Sequence, residues 1–154
     1  MATVHMLVGI PGSGKSTFAQ GLSKELSCSI VTTDGIRMEH PDWEERLVWP
    51  EVYRRLAVEI LAGRDVIYDA TSVTPNVRNR FFTRLYEQVE KGSFDVGAYF
   101  FPTPAEVCYK RIEKRNQDPN EHFFPLDKVE SYASTMIPPT VEEGFVFVKE
   151  IITF

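Results

Sequence analysis

The chain predicts an α/β fold of three layers, α/β/α, around a central parallel sheet of about five strands. Three observations predict it. Short apolar runs alternate with helical patterns along the whole 154 residues. The runs lack the in-and-out polarity of a sheet with one wet face, as strands buried on both faces do. The first run also passes into a helical pattern through a glycine-rich turn, the strand-to-helix step of a parallel α/β unit. The length suits a single domain over residues 1–154 with a substantial core.

The first strand candidate covers residues 3–9 and includes Val4, Met6, Leu7 and Val8. It runs into Gly9-Ile10-Pro11-Gly12-Ser13-Gly14-Lys15-Ser16-Thr17, which fits G-x-x-x-x-G-K-[ST], the phosphate-binding P-loop. Phe18, Leu22 and Leu26 then recur at helical spacing. A strand, a glycine turn and a helix N-terminus gather backbone N–H groups around one anion, and the helix dipole adds to the attraction. A Cβ at the glycines would crowd the phosphate. Gly12, Ser13, Gly14, Lys15, Ser16 and Thr17 are therefore expected to bind a nucleotide, ATP, with Lys15 reaching the β/γ-phosphates and the Ser16 hydroxyl ligating Mg²⁺.

The other strand candidates are residues 28–33, 65–69, 95–101 and 146–153. Helical patterns fill the intervals. Segment 50–62 carries Val52, Leu56, Ile60 and Leu61; segment 76–91 follows Pro75, a favourable first-turn residue, and carries Phe81, Phe82, Leu85 and Val89. Segment 104–115 carries Val107, Cys108 and Ile112, and segment 126–136 starts after Pro125. The polar, acidic stretch His40 to Trp49 reads as a mobile loop or a short helix. Asn116 to Pro125 is irregular and flanked by helices, so a helical lid is expected at about 111–126.

Composition narrows the partners. The net charge of −5 argues against a long basic track for nucleic acid, though not against a pocket for one strand end. Cys28 and Cys108 form no C-x-x-C, which fits buried, reduced thiols in a cytoplasmic protein. Gly9 and Lys15 interrupt the N-terminal apolar run, so it does not read as a signal peptide, and no run approaches the ~18 residues of a membrane span.

A P-loop specifies nucleotide phosphate, not the reaction. The N-K-x-D of guanine readers and the L-S-G-G-Q of ABC transporters are both missing. Val66-Ile67-Tyr68-Asp69 is an apolar strand ending in an acid, and Ala70 follows rather than the Glu that many motor ATPases use to activate water. These absences favour phosphate transfer to a bound acceptor over an acceptor-free ATPase. Val31-Thr32-Thr33-Asp34 ends the second strand, with Arg37 one turn later. Ligands of doubly wound sheets bind at the carboxyl ends of the strands. Asp34 is thus placed to accept an acceptor hydroxyl's proton, the alternative being a plain helix N-cap. Arg111 and Arg115 lie four apart on one helical face leading into the lid, where guanidinium groups can clamp transferring phosphates; a solvated basic face with Lys110 and Lys114 is the other reading. Trp43, Trp49 and Tyr53 either stack on a base or pack on a helix face. His122, Phe123 and Phe124 lie in the lid, and His5 reads as structural.

This set of motifs resembles the P-loop kinase domain of polynucleotide 5′-hydroxyl kinases over nearly the whole chain. It comprises G-x-P-G-S-G-K-S-T, Asp34 with Arg37, Asp69-Ala70-Thr71, Arg111-x-x-x-Arg115 and Pro125 opening a helix. Pro139-Thr140-Val141-Glu142-Glu143-Gly144-Phe145 resembles the P-T-x-x-E-G-F element of eukaryotic members. The resemblance implies a P-loop kinase fold, ATP as donor with Mg²⁺, and the 5′-OH end of a polynucleotide as acceptor. It implies Lys15, Asp34 and Arg115 as catalytic, with Arg111 of similar role to Arg115. It also implies Arg37 as ligand of the acceptor's phosphate, with Asp69 and Thr71 lining the acceptor site. No 3′-phosphatase or ligase module accompanies it in these residues, and the same fold also serves kinases of small hydroxyl compounds such as nucleosides, sugars and antibiotics.

Overall fold

The structure is a computed structural model that describes residues 1–154. The elements are β1 (Ala2–Val8), α1 (Lys15–Leu26), β2 (Ser29–Thr32), α2 (Thr33–Glu39), α3 (Glu45–Leu61), β3 (Val66–Asp69), α4 (Pro75–Tyr86), β4 (Phe94–Phe100), α5 (Ala105–Asn116), α6 (Asp127–Thr135) and β5 (Val148–Glu150). The sheet order is β2-β3-β1-β4-β5 and every pairing is parallel. The three-layer α/β/α prediction therefore holds, with β1 central.

Side-chain parity sorts the core into the two outer layers. Val4, Met6 and Val8 point to one face with Val66, Tyr68, Val96 and Ala98, and there they meet Val52, Leu56 and Ile60 of α3 and Phe81 and Leu85 of α4. Leu7, Ile67, Tyr99 and Phe101 point to the other face, beneath Ala19, Phe18 and Leu22 of α1. A third cluster joins Ile10 after β1 and Val73 after β3 to Cys108 and Ile112 of α5 and Val129 of α6. This last cluster fixes the lid helices to the loops that carry the site. His5 is structural as expected: its Nδ1 lies 2.9 Å from the Tyr99 hydroxyl and its Nε2 3.0 Å from Asp65 Oδ2.

Several boundaries differ from the sequence reading. His40–Trp49 is not one loop. Residues 40–44 form the turn after α2 and Glu45–Trp49 are the first five residues of α3, with Arg37 of α2 and Glu45 of α3 pairing across that turn. Pro50 lies inside α3 and not at its start. Near the C-terminus the strand itself is Val148–Glu150, shorter than the expected 146–153, although backbone hydrogen bonds to β4 run from Val146 to Ile151. Cys28 is only half-buried, whereas Cys108 is fully buried.

The P-T-x-x-E-G-F element has a mechanical function that its sequence does not announce. Arg78 of α4 is wholly buried. Its Nε donates to Glu143 Oε1 at 2.7 Å and its Nη2 to Glu143 Oε2 at 3.2 Å. Its Nη1 donates to the carbonyl of Ser72 at 2.8 Å. Ser72 has a positive φ of 49°, an uncommon conformation for a non-glycine residue, in the loop that follows β3. The neighbouring Thr71 carbonyl accepts from Gly9 N at 3.2 Å, so the fork of Arg78 steadies a loop that itself holds the start of the P-loop. Removing the carboxylate strands a guanidinium in the interior. Glu143→Ala is accordingly expected to cost about 3 kcal/mol, seen as a lower urea midpoint at constant m-value. An unchanged midpoint would mean that water replaces the carboxylate.

Candidate phosphoryl-transfer site

The P-loop occupies the turn between β1 and α1, at the carboxyl end of the central strand. Gly14 caps α1 with φ 101°, a left-handed conformation that suits glycine. A Cβ built there would stand 2.8 Å from Thr153, and one at Gly12 would stand 2.8 Å from the carbonyl of Cys108 on α5. The N–H groups of Gly14, Lys15, Ser16 and Thr17 have no hydrogen-bond partner, as expected of the first turn of a helix. Together they form the anion cradle that the motif requires. The Ser13 hydroxyl is buried and unpartnered in the same loop.

Lys15 is buried, and its Nζ donates to the Ile10 carbonyl at 3.1 Å. Burial depresses its pKa, while the nearby Asp69 carboxylate opposes that shift and Arg115 adds to it. Burial conversely raises the pKa of Asp69, with Lys15 opposing and Asp34 reinforcing. Asp69 ends β3, and the register aligns it with Leu7 of β1 on one side and Thr32 of β2 on the other. Its Oδ2 lies 3.5 Å from Ser16 Oγ, a long and weak hydrogen bond. A hydroxyl and a carboxylate facing across such a gap are hard oxygen donors. They fit Mg²⁺ that takes its other ligands from phosphate and water. No cluster of three or more His, Cys, Asp or Glu side chains forms a metal cage by itself.

Asp34 lies in the first turn of α2, immediately after β2. The N-cap is Thr32, whose hydroxyl accepts from Gly35 N at 2.9 Å, so Asp34 is not spent on capping. β3 stands between β2 and β1, which puts Asp34 two strand spacings, roughly 10 Å, from the P-loop strand. Asp69, on the intervening strand, is the acid next to the loop. Asp34 is exposed and bonds Arg37 Nη1 at 2.7 Å. Arg37 also forks onto Glu45, with Nε donating at 3.1 Å and Nη2 closing the pair. The sequence reading missed Glu45, which the short α2–α3 turn brings in.

The two lid arginines have different environments. Arg111 is turned inward: its Nη1 donates to the Gly12 carbonyl and to Thr153 Oγ1, both at 3.1 Å, and its Nη2 to the Thr153 carbonyl. Thr153 Oγ1 donates to the Ser13 carbonyl at 2.7 Å, as does Thr103 Oγ1 at 2.9 Å. Arg115, one turn on, is exposed and makes no hydrogen bond or ion pair with another side chain. After α5 the irregular lid segment folds back, with the Asn116 amide bonding both backbone groups of Phe124 at 2.8 and 2.9 Å. The Trp43 ring stacks on His40 at 3.7 Å and packs against the core.

A family model described as AAA domain, AAA_33, matches residues 4–139. The chain belongs to this family. No curated protein sequence matches it. Among solved structures, a protein from Chloroflexus aurantiacus assigned to the kinases superposes with a TM-score of 0.77 at 16% identity, over 99% of this chain and 88% of that one. A gluconokinase from Sinorhizobium meliloti gives 0.62 at 16% identity, over 97% and 82%. A chain of the Pnkp1/Rnl/Hen1 RNA repair complex gives 0.69 at 24% identity, over 87% of this chain and 43% of that one. This AAA_33 domain has the P-loop kinase fold. No helix in it is long and apolar enough to cross a membrane.

Two outcomes test the site. Lys15→Ala removes the buried cation of the P-loop and is expected to lower kcat by on the order of 10²-fold or more in a labelled-ATP assay; full activity would remove Lys15 from the reaction. Thr153→Val deletes one hydroxyl behind the P-loop without changing volume. It is expected to raise the KM for ATP by a few-fold, the worth of one net hydrogen bond, with kcat little changed. An unaltered KM would show that Thr103 and Arg111 suffice to hold the loop.

Proposed function

We propose that the domain transfers the γ-phosphoryl group of ATP·Mg²⁺ to the 5′-hydroxyl of a polynucleotide end. The observation that carries this reading is the Asp34–Arg37 pair at the carboxyl end of β2, a carboxylate beside a guanidinium that can bind phosphate. A γ-phosphoryl held over Lys15 faces Asp34 across β3, and that interval suits an acceptor hydroxyl. Asp34 accepts the hydroxyl proton as the oxygen attacks phosphorus, and the bond to the ADP oxygen breaks in line. Lys15, from the loop, and Arg115, from the lid, neutralise the charge gathering on the transferred group. Ser16 and Asp69 would hold the magnesium, which would supply positive charge beside the phosphates of ATP. Arg37 binds the acceptor's phosphate by exchanging Glu45 for it, and Thr71 lines the acceptor side. Gly12, Ser13, Gly14 and Thr17 complete the nucleotide cradle, and Arg111 serves the nucleotide by fixing that cradle. The unpaired cysteines suit a cytoplasmic setting.

A small hydroxyl compound is the second reading. It is favoured by the net charge of −5 and by the likeness in fold to a gluconokinase.

One assay separates the readings. Purified protein is incubated with γ-labelled ATP and Mg²⁺ and, in turn, a 5′-OH oligonucleotide, a panel of small hydroxyl compounds, or no acceptor. Label on the oligonucleotide is expected, with a shallow dependence on salt because few phosphates are gripped. Asp34→Asn should abolish it while leaving ATP affinity within a few-fold. Label only on a small compound establishes the second reading, and phosphate release without acceptor rejects both.

A further inference from the structure

Arg115 occupies the last turn of α5, where a helix has unpaired carbonyls and tends to fray. Little holds that turn to the rest of the domain. Ile112 is buried and Phe124 is half-buried, and between them every residue is exposed except Asn116. The backbone bonds after the helix are local: Gln117 N donates to the Lys114 carbonyl, Asp118 N to the Arg115 carbonyl and Glu121 N to the Asp118 carbonyl. Asn120 N donates to Asp118 Oδ1, again within the stretch. The side-chain hydrogen bonds that leave it are those of Asn116. Its Nδ2 donates to the Phe124 carbonyl at 2.8 Å, and its Oδ1 accepts from Phe124 N at 2.9 Å. A primary amide carries a donor and an acceptor side by side, so it meets both backbone groups of one residue much as a neighbouring strand would.

Phe124 is a firm point of attachment. It packs on the cluster of Ile10, Cys108, Ile112 and Val129, and the Lys128 ammonium lies 6.0 Å from its ring centroid. Ile10 belongs to the P-loop, and its carbonyl accepts from Lys15 Nζ at 3.1 Å. Asn116 thus refers the end of α5 to the same cluster that seats the carbonyl holding Lys15. Burial depresses the pKa of Lys15, and Arg115 stands close enough for its charge to add to that shift. Two cations on separate elements have one common reference. For groups that act on a reacting phosphoryl this matters, because a displacement of about 1 Å can cost on the order of 10²-fold in rate.

Building on the role proposed for Arg115, we infer that Asn116 is a positioning residue for phosphoryl transfer. Its amide pins the last turn of α5 to Phe124 and thereby sets where Arg115 can reach. Asn116 acts through Arg115 and not on either substrate, so the inference holds for a polynucleotide and for a small hydroxyl acceptor alike.

A double-mutant cycle in kinetics tests it. On the full chain, kcat and the KM for ATP are measured with γ-labelled ATP and the acceptor that takes label, or as phosphate release where none does. Arg115→Ala is expected to lower kcat by at least about 10²-fold. Asn116→Ala should lower kcat about tenfold, within reach of two net hydrogen bonds, and leave the KM for ATP unchanged, because the lost interaction belongs to the transition state. In the Arg115→Ala background the same change should have no further effect. Gln117→Ala, at an exposed neighbour without a side-chain bond, should leave kcat within about twofold of the unaltered chain. The inference is overturned if Asn116→Ala leaves kcat intact, if it raises the KM as much as it lowers kcat, if its loss recurs undiminished in the Arg115→Ala background, or if Gln117→Ala matches it. Full activity in Arg115→Ala rejects the role of Arg115 and the inference with it. A fall in Arg115→Ala with an independent, additive fall in Asn116→Ala keeps the role of Arg115 and rejects the positioning role alone.

Discussion

The site depends first on how the P-loop is held from behind. A loop that offers N–H groups to an anion must keep its carbonyls turned away, and without restraint nothing favours that arrangement before nucleotide arrives. Here the Ser13 carbonyl accepts from Thr103 and Thr153, and the Gly12 carbonyl accepts from Arg111. Because a trans peptide is planar, fixing the Ser13 carbonyl on one side directs the Gly14 N–H to the other. Thr103 follows β4, Arg111 lies on α5 and Thr153 lies beyond β5. The cradle is therefore shaped by three segments far from it in sequence, and part of the entropy cost of ordering it is met when the domain folds.

A second brace acts from the β3 side. Arg78 spends its guanidinium on Glu143 and on the Ser72 carbonyl, and the Ser72 loop carries the Thr71 carbonyl that holds Gly9. Two arginine-centred contacts, a half-buried one toward α5 and a buried one toward α4, thus bracket the P-loop. Neither arginine needs to touch substrate to matter. In this arrangement Arg111 fixes the loop carbonyls, whereas Arg115, one turn on, is exposed and has no side-chain partner.

Much of this was legible in the sequence. The P-loop was, because its chemistry is local: consecutive backbone groups and the adjacent Lys15 and Ser16 make most of the cradle. The alternation of strand and helix was also legible, since strands buried on both faces carry near-continuous apolar residues. Asp34 and Asp69 could be recognised as strand-end acids. Their separation could not, because it follows from β3 inserting between β1 and β2 in the sheet. The limits of the helices were less clear. Arg37 and Glu45 pair across the α2–α3 turn, and no periodicity reports a pairing eight residues apart. Glu143 stood in a recognisable element, but nothing in that element names Arg78 as its partner.

The sequence by itself determined the fold class and the P-loop motif at the turn after β1, and it named the candidates for proton transfer and charge neutralisation. Each of these rests on spacing within a few residues, where backbone geometry is nearly fixed. Tertiary structure alone decided that Arg111 faces inward while Arg115 faces outward, and that Thr153 belongs to the P-loop. Those relations depend on the order of strands in the sheet and on which helix faces meet. Packing of distant segments sets both, and no local pattern encodes them.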